Sequence, residues 1–287
     1  MTAIYKKEMR NYFNTIIGYV FLGIFVLVTA YFFCINNILE AGTNYNDNLL
    51  STLTMFLIII PIMTMRLFAE EAKQKTDQLL YTSPVSVFKI VLGKFLAASS
   101  LFLIGVLITC IFPIILSFYG DVAFMQTVGG IFGYFLFGCG LISIGVFISV
   151  LTDNQIIAAV GTFIAIFFVI MMDGIAASMP KDTATSVAFT CILAIAAAFL
   201  IYNGTKNIYA GGITAIIGFA IVIILYYINP LIFDGVIIKV LSWFSLLDRF
   251  FSFYMGIFNV GDIVYLITFI CAFLYLTINV IEKRRWR

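Results

Sequence analysis

The sequence predicts an all-α integral membrane protein, a polytopic bundle of about eight transmembrane helices, six plus an extra pair. Three observations predict it. Hydrophobic residues make up 63% of the chain and charged residues 10%, where a soluble domain carries about 25% charged; the mean hydropathy is +1.13. The apolar residues come in runs of about 20, long enough for a helix to cross a bilayer, and not in the alternating strands of about ten residues that build outer-membrane barrels. The charged residues gather between the runs. One transmembrane domain over 1–287 is expected, with no room for a separate soluble domain.

The chain opens with TAIYKKEMRNYFNT at 2–15, where Tyr5, Met9, Tyr12, Phe13 and Ile16 recur at helical spacing and Lys6, Lys7, Arg10, Asn11 and Asn14 fall on the other face. A basic amphipathic helix with aromatic residues lies in the membrane interface, so 1–15 is read as an interfacial helix rather than a plain positive flank. The first apolar run is longer than the core of a signal peptide and follows mostly polar residues, so no cleavable signal is expected. The spans are read at roughly 16–36, 49–67, 95–117, 128–150, 156–173, 186–203, 209–228 and 262–281.

Charge sets the orientation, because basic residues are retained on the cytoplasmic side. Counting the start, the stretch between spans two and three, Lys206 and the C-terminus, 13 of the 16 basic residues fall on one side, leaving Lys181, Lys239 and Arg249 on the other. Both termini are therefore expected in the cytoplasm. Eight spans is an even number, as this demands; six or ten would satisfy it too.

The longest wet segment, Arg66 to Lys94, holds 8 of the chain's 30 Asp, Glu, Lys and Arg residues. Phe68 to Tyr81 has good helix formers and no Gly or Pro. Ser83-Pro84 ends that helix, since Pro disfavours helical geometry in the residue before it. The same pair starts the next helix, with Ser as N-cap and Pro at the first position. We read 66–94 as a handle by which a cytoplasmic partner moves the membrane part; an ordinary solvated loop would carry similar charge. The part from Glu70 to Ser83 reads as too polar to help hold the bundle together.

The outside segments differ. Asn36 to Asn48 carries Glu40 and Asp47 and no basic residue. The segment 229–261 crowds Trp243, Phe244, Phe250, Phe251, Phe253, Tyr254 and Phe258 into a 16-residue window, with Asp248 and Arg249 near its middle. Either charge at the membrane centre would cost about 2.5–3.5 kcal/mol, which argues against a full span. Two half-helices that dip into the outer leaflet and return, or an aromatic belt helix lying flat, both fit. Trp243, Phe244, Phe250, Phe251, Phe253 and Tyr254 are the extracellular gate candidates. Span four is rich in glycine, with Gly129 and Gly133 in a GxxxG pair that would allow close helix approach.

Several chemistries are absent. There is no histidine, the commonest general base and metal ligand. The five cysteines, Cys34, Cys110, Cys139, Cys191 and Cys271, form no CxxC pair and fall inside apolar runs, where they read as small apolar residues expected to be buried. No ionisable residue lies well inside a span as drawn, which argues against a proton-coupled transporter. No intramembrane protease motif is present; the nearest to GxGD is Asn259-Val260-Gly261-Asp262. No Walker A motif occurs, since Gly93-Lys94 is followed by Phe95. No metal and no cofactor is expected on this chain, and no catalytic residue. If ATP drives it, the ATPase is another chain.

Four stretches carry a resemblance. They are Ile4-Tyr5-Lys6-Lys7-Glu8 continuing to Ile17-Gly18-Tyr19-Val20-Phe21; Glu70-Glu71 with Thr76-Asp77-Gln78-Leu79-Leu80, Ser83-Pro84-Val85-Ser86 and Val91-Leu92-Gly93-Lys94-Phe95; Leu151-Thr152-Asp153-Asn154-Gln155 into Ala159; and Gly261 to Tyr265 through Glu282 to Arg287. In order and spacing the chain resembles the membrane subunit of a bacterial type-2 ABC exporter, most of all the gliding-motility and nitrous-oxide-accessory group of permeases. Where relatives often have Gly before the Thr and Glu before the Leu-Leu pair, this chain has Lys75 and Gln78. Many relatives have six spans, so 186–228 reads as an added pair.

The resemblance implies a multi-pass protein of the bacterial plasma membrane. A second permease subunit, identical or not, would pair with it, and each would dock on a cytoplasmic ATPase that holds ATP and Mg. Glu70, Glu71, Thr76, Asp77, Gln78, Leu79, Leu80, Ser83 and Pro84 would form the coupling helix on that ATPase. Tyr5, Lys6, Lys7, Met9, Arg10, Tyr12 and Phe13 would form the connecting helix beside it. No nucleic-acid partner is expected. The competing readings are a stand-alone secondary transporter or channel, and a membrane enzyme or scaffold.

Overall fold

In lipid the backbone must satisfy its own hydrogen bonds, and apolar runs that are not barrel strands do so as helices. The computed structural model describes residues 1–40, 42–76, 85–180, 182–205, 208–228, 233 and 235–285. In chain order its helices are α1 (Thr2–Asn14), α2 (Ile16–Phe33), α3 (Tyr45–Thr52), α4 (Phe56–Thr64), α5 (Ala69–Lys73), α6 (Val87–Thr109), α7 (Ile111–Leu116), α8 (Phe124–Leu151), α9 (Gln155–Ser178), α10 (Thr183–Thr205), α11 (Ile208–Ile228), α12 (Val236–Phe244), α13 (Leu246–Tyr254) and α14 (Val260–Arg285). A π-helical turn, Cys34–Leu39, extends α2, and a 3₁₀ turn, Leu53–Met55, joins α3 to α4.

Among the described residues, six stretches are long and apolar enough to cross a membrane: Ile16–Leu39, Tyr45–Lys73, Val87–Leu116, Phe124–Leu151, Gln155–Ser178 and Val260–Arg285. Two boundaries correct the sequence reading. The third begins at Val87 instead of residue 95, so Lys89 and Lys94 belong to it. The second reaches Lys73, so Glu70 and Glu71 belong to its end. The outside loop read at Asn36–Asn48 is also shorter, because α2 continues into its π turn to Leu39 and α3 begins at Tyr45.

The chain divides into two units, Met1–Ile170 with Leu246–Arg287, and Met171–Ser245. The first is centred on α8, whose inner face meets α3, α4, α6, α13 and α14. Its core is aromatic. Phe25, Phe56, Phe102, Tyr134, Phe137 and Phe250 are each at most 1% exposed, with ring centroids such as Phe56–Tyr134 at 4.9 Å and Phe137–Phe250 at 5.8 Å. The glycines of α8 make room for these side chains. A Cβ on Gly138 would sit 2.3 Å from the Phe102 ring, and one on Gly133 would sit 2.4 Å from Phe253 Cβ. The close approach read from the GxxxG pair is thus made at Gly133 by a side chain of α13.

In the second unit α10 and α11 pack on each other, with Gly218 of α11 against Ala194 of α10. Their lengths, 23 and 21 residues, are those of spanning helices. Ala198, Val222, Phe233 and Ile237 are buried there, and the Tyr226 and Phe233 rings lie 6.3 Å apart.

Candidate functional site

The site is built where α1, the turn into α5, and α6 meet. α1 and α2 are joined by one extended residue, Thr15 (φ −103°, ψ 156°), so the amphipathic helix folds sharply away from the first span. Gly18 allows the corner, because a Cβ there would lie 2.3 Å from the Tyr12 carbonyl oxygen. α1 then packs its aromatic face on the bundle. Tyr5 donates to Ser100 Oγ at 3.1 Å and Tyr12 to the Met63 carbonyl at 3.0 Å. Ile4 sits against Gly93, where a Cβ would come within 3.2 Å of it.

Lys94 of α6 is 1% exposed. A buried ammonium must be paired and its three N–H donors satisfied. Its Nζ lies 3.1 Å from Glu8 Oε1 and 2.8 Å from Glu71 Oε2, and it donates to the Leu67 carbonyl. It also stands 4.8 Å from the centre of the Phe68 ring, a cation–π contact. Glu71 turns its other oxygen to Lys7 Nζ at 2.7 Å. Burial alone would lower the pKa of Lys7, but its hydrogen bond to Glu71 and that carboxylate's charge outweigh it, and the pKa is raised. Two lysines and two carboxylates therefore join α1, α5 and α6. A cleft of about 420 Å³ opens beside them, lined by Asn11, Thr15, Arg66 and Glu70 and by the apolar Ile17 and Met63 among others.

The wet helix is shorter than its sequence suggests. It was expected over Phe68 to Tyr81, but α5 ends at Lys73. Lys75 adopts the left-handed conformation (φ 56°), its N–H bonds the Ala72 carbonyl at 3.1 Å, and the Thr76 N–H bonds the Glu71 carbonyl at 3.0 Å. That is a Schellman stop with lysine at the position glycine usually takes. No propensity sum over Phe68–Tyr81 reveals such a stop, because lysine is a good helix former.

The other predicted residues fall as follows. Lys6, Arg10 and Thr76 are exposed, while Glu70 lies 3.9 Å from Arg66 at the cleft edge. Asp77, Gln78, Leu79, Leu80, Ser83 and Pro84 lie outside the described residues. Met9 and Phe13 pack against the core, partly buried. Glu71 was read as a partner contact on a segment too polar to hold the bundle; it faces inward and braces it. Sequence reasoning missed Glu8 and drew Lys94 just outside a span.

At the opposite end, α13 lies against α8. Phe250 and Phe253 are fully buried. Phe251 is 38% exposed. Nine residues make α13 far too short to cross. Arg249 Nη1 pairs with Asp262 Oδ1 at 3.1 Å and its guanidinium stands over the Tyr265 ring. Asn46 Nδ2 donates to the carbonyls of Gln126 (3.0 Å) and Tyr254 (2.9 Å), and the Tyr254 hydroxyl donates to Asp47. Of the remaining gate candidates, Trp243 is exposed in the second unit, and Phe244 closes α12 with its side chain outside the described set. Among the described residues no three His, Cys, Asp or Glu side chains gather to hold a metal ion.

Residues 37–281 match the model of a family described as ABC-2 family transporter protein. The chain belongs to that family. No curated protein and no solved structure matches it. It is thus an ABC transporter permease, a multi-pass membrane component of transport. The matched range of this ABC-2 permease holds Glu71 and Lys94 but not α1, which brings Lys7 and Glu8 to them.

Proposed function

We propose that this permease is the membrane subunit of a bacterial ABC exporter of the gliding-motility and nitrous-oxide-accessory type. It works in the inner membrane with both termini in the cytoplasm, paired with a second permease subunit and driven by a separate ATPase. The observation that carries this is the buried Lys94 cluster. The chain leaving the second span is tied at once to the N-terminal helix and to the third span. A push on the segment that follows would therefore move all three, which an ordinary loop would not do. Two further spans, α10 and α11, keep the number of crossings even. Docking would fall to the segment from Glu70 to Pro84, with Leu79 and Leu80 as apolar anchors, since buried aliphatic contacts outweigh rim charges at most interfaces.

The test is co-purification of an ABC ATPase with the permease after mild detergent extraction. Leu79→Asp is expected to leave the permease inserted and monodisperse while ATPase recovery falls to background; Glu70→Lys should weaken recovery less. Equal recovery with wild type and Leu79→Asp would overturn the docking assignment.

Orientation has its own measurement. Tyr45, a natural choice for an outside probe, is 1% exposed, whereas Thr43 and Lys75 are exposed. In a cysteine-free background, an impermeant maleimide should label T43C in intact cells and K75C only after permeabilisation. Labelling of K75C in intact cells would invert the topology.

A further inference from the structure

Helix α5 begins without help from its own neighbours. Its N-cap, Phe68, makes no side-chain cap, and Leu67, Phe68 and Ala69 are at most 4% exposed. The first N–H groups of a helix have no partner within it, and here water is shut out as well. The acceptor comes from another span. Ser149 of α8, itself fully buried, accepts from the N–H of Phe68 at 3.1 Å and of Ala69 at 3.2 Å, and its hydroxyl donates to the Met65 carbonyl at 3.3 Å. One turn earlier, Gly145 lets α8 press on α4, since a Cβ there would lie 2.3 Å from Thr64 Oγ1.

We propose that Ser149 is a positioning residue for coupling: a cap supplied across the bundle that makes α5 and the cytoplasmic end of α8 move as one piece. This rests on the docking reading above. Lys94 ties the segment to α1 and α6, but neither carries α13. α8 does, through Gly133 and Phe253, and α3 holds the end of α13 through Asn46 and Asp47, so Ser149 is the link by which a displacement of the docking segment reaches α13 through α8. A serine suits this place because its single oxygen can accept two N–H bonds while donating a third. Ser143 makes the contrast. It is equally buried on the same helix, but its hydroxyl serves only the Gly140 carbonyl of α8 itself.

The experiment uses the whole permease–ATPase complex with spin labels at Lys75, beyond the end of α5, and at Asp153, on the exposed turn after α8. Their distance is read at rest and after trapping with ATP and vanadate. Wild type and Ser143→Ala should give one narrow distribution in both states. Ser149→Ala should match them at rest but broaden and shift on trapping. Ser149→Cys, whose sulfur is a weaker acceptor, should fall between, and it carries the test if the alanine variant fails to fold. Identical distributions for wild type and Ser149→Ala in both states would overturn the proposal, as would equal broadening of Ser149→Ala at rest, which marks a merely structural role. ATPase recovery from the same samples separates the two readings. An ATPase missing from wild-type preparations defeats the docking reading and this one with it. A retained ATPase with unchanged distances defeats this one alone.

Discussion

Lys94→Met is expected to be among the most damaging single substitutions in the chain. The methionine fits the volume, but Glu8 and Glu71 lose the ammonium that both face, and the Leu67 carbonyl loses its donor. Removing one partner of a buried ion pair costs about 3–5 kcal/mol, because the remaining charge stays desolvated. Lys7 offers Glu71 partial relief, yet its side chain is 55% exposed, and exposed pairs contribute at most about 1 kcal/mol. Lys7 also acts on Glu8, but only through its charge, without a hydrogen bond. Thermal unfolding in detergent should show a large loss for Lys94→Met. The triple variant Lys94→Met/Glu8→Gln/Glu71→Gln should recover much of it, since the buried charges are then gone together. Equal melting of Lys94→Met and wild type, or no recovery in the triple variant, would mean that charge pairing does not hold α1 and α5 to α6.

This cluster shows what the sequence discloses and what it hides. The helices were legible because apolar runs of spanning length admit little else, and the amphipathic start was legible because its aromatic residues keep helical spacing. The partners of Lys94 were not, because Glu8 lies 86 residues before it and the pairing depends on how three helices meet. A local signal existed nonetheless. Val87, Ile90, Val91, Lys94, Ala98 and Leu101 share one helical face and are all buried. Glu8 likewise falls on the aromatic face with Tyr5 and Tyr12. A lone lysine on one apolar stripe and a lone glutamate on another are candidates for each other. Treating every charge as a sign of water placed Lys94 in a loop. At the other end the crowding of aromatic residues was visible, but not that Phe250 and Phe253 turn inward while Phe251 does not. That choice follows from the helical phase of α13 against the glycines of α8.

Gly133→Ala tests that seat. In an ordinary apolar helix, alanine in place of glycine is favourable by up to about 1 kcal/mol. Gly23 of α2, with no atom within 4 Å of its would-be Cβ, is the matched control and should tolerate alanine. At Gly133 the new carbon would meet Phe253 Cβ at 2.4 Å and Cγ at 2.5 Å. A Cβ is fixed to its backbone, so no rotamer of Phe253 relieves the first contact, and α13 must back away from α8. It cannot do so freely, because its end is pinned through the Tyr254 carbonyl and hydroxyl to Asn46, Gln126 and Asp47. Its Phe250 ring also lies among Tyr134 and Phe137. Overpacking of this kind costs about 1–3 kcal/mol. Gly133→Ala should therefore lower the melting temperature and speed amide exchange across Leu246–Tyr254, while Gly23→Ala does neither. The pairing can be tested further. Phe253→Ala keeps the clashing Cβ and should not rescue Gly133→Ala, whereas Phe253→Gly removes it and should restore slow exchange in α13. A Gly133→Ala protein with native melting and native protection of Leu246–Tyr254 would show that α13 is not seated on α8, and the path from Ser149 to the aromatic helix would lose its last step.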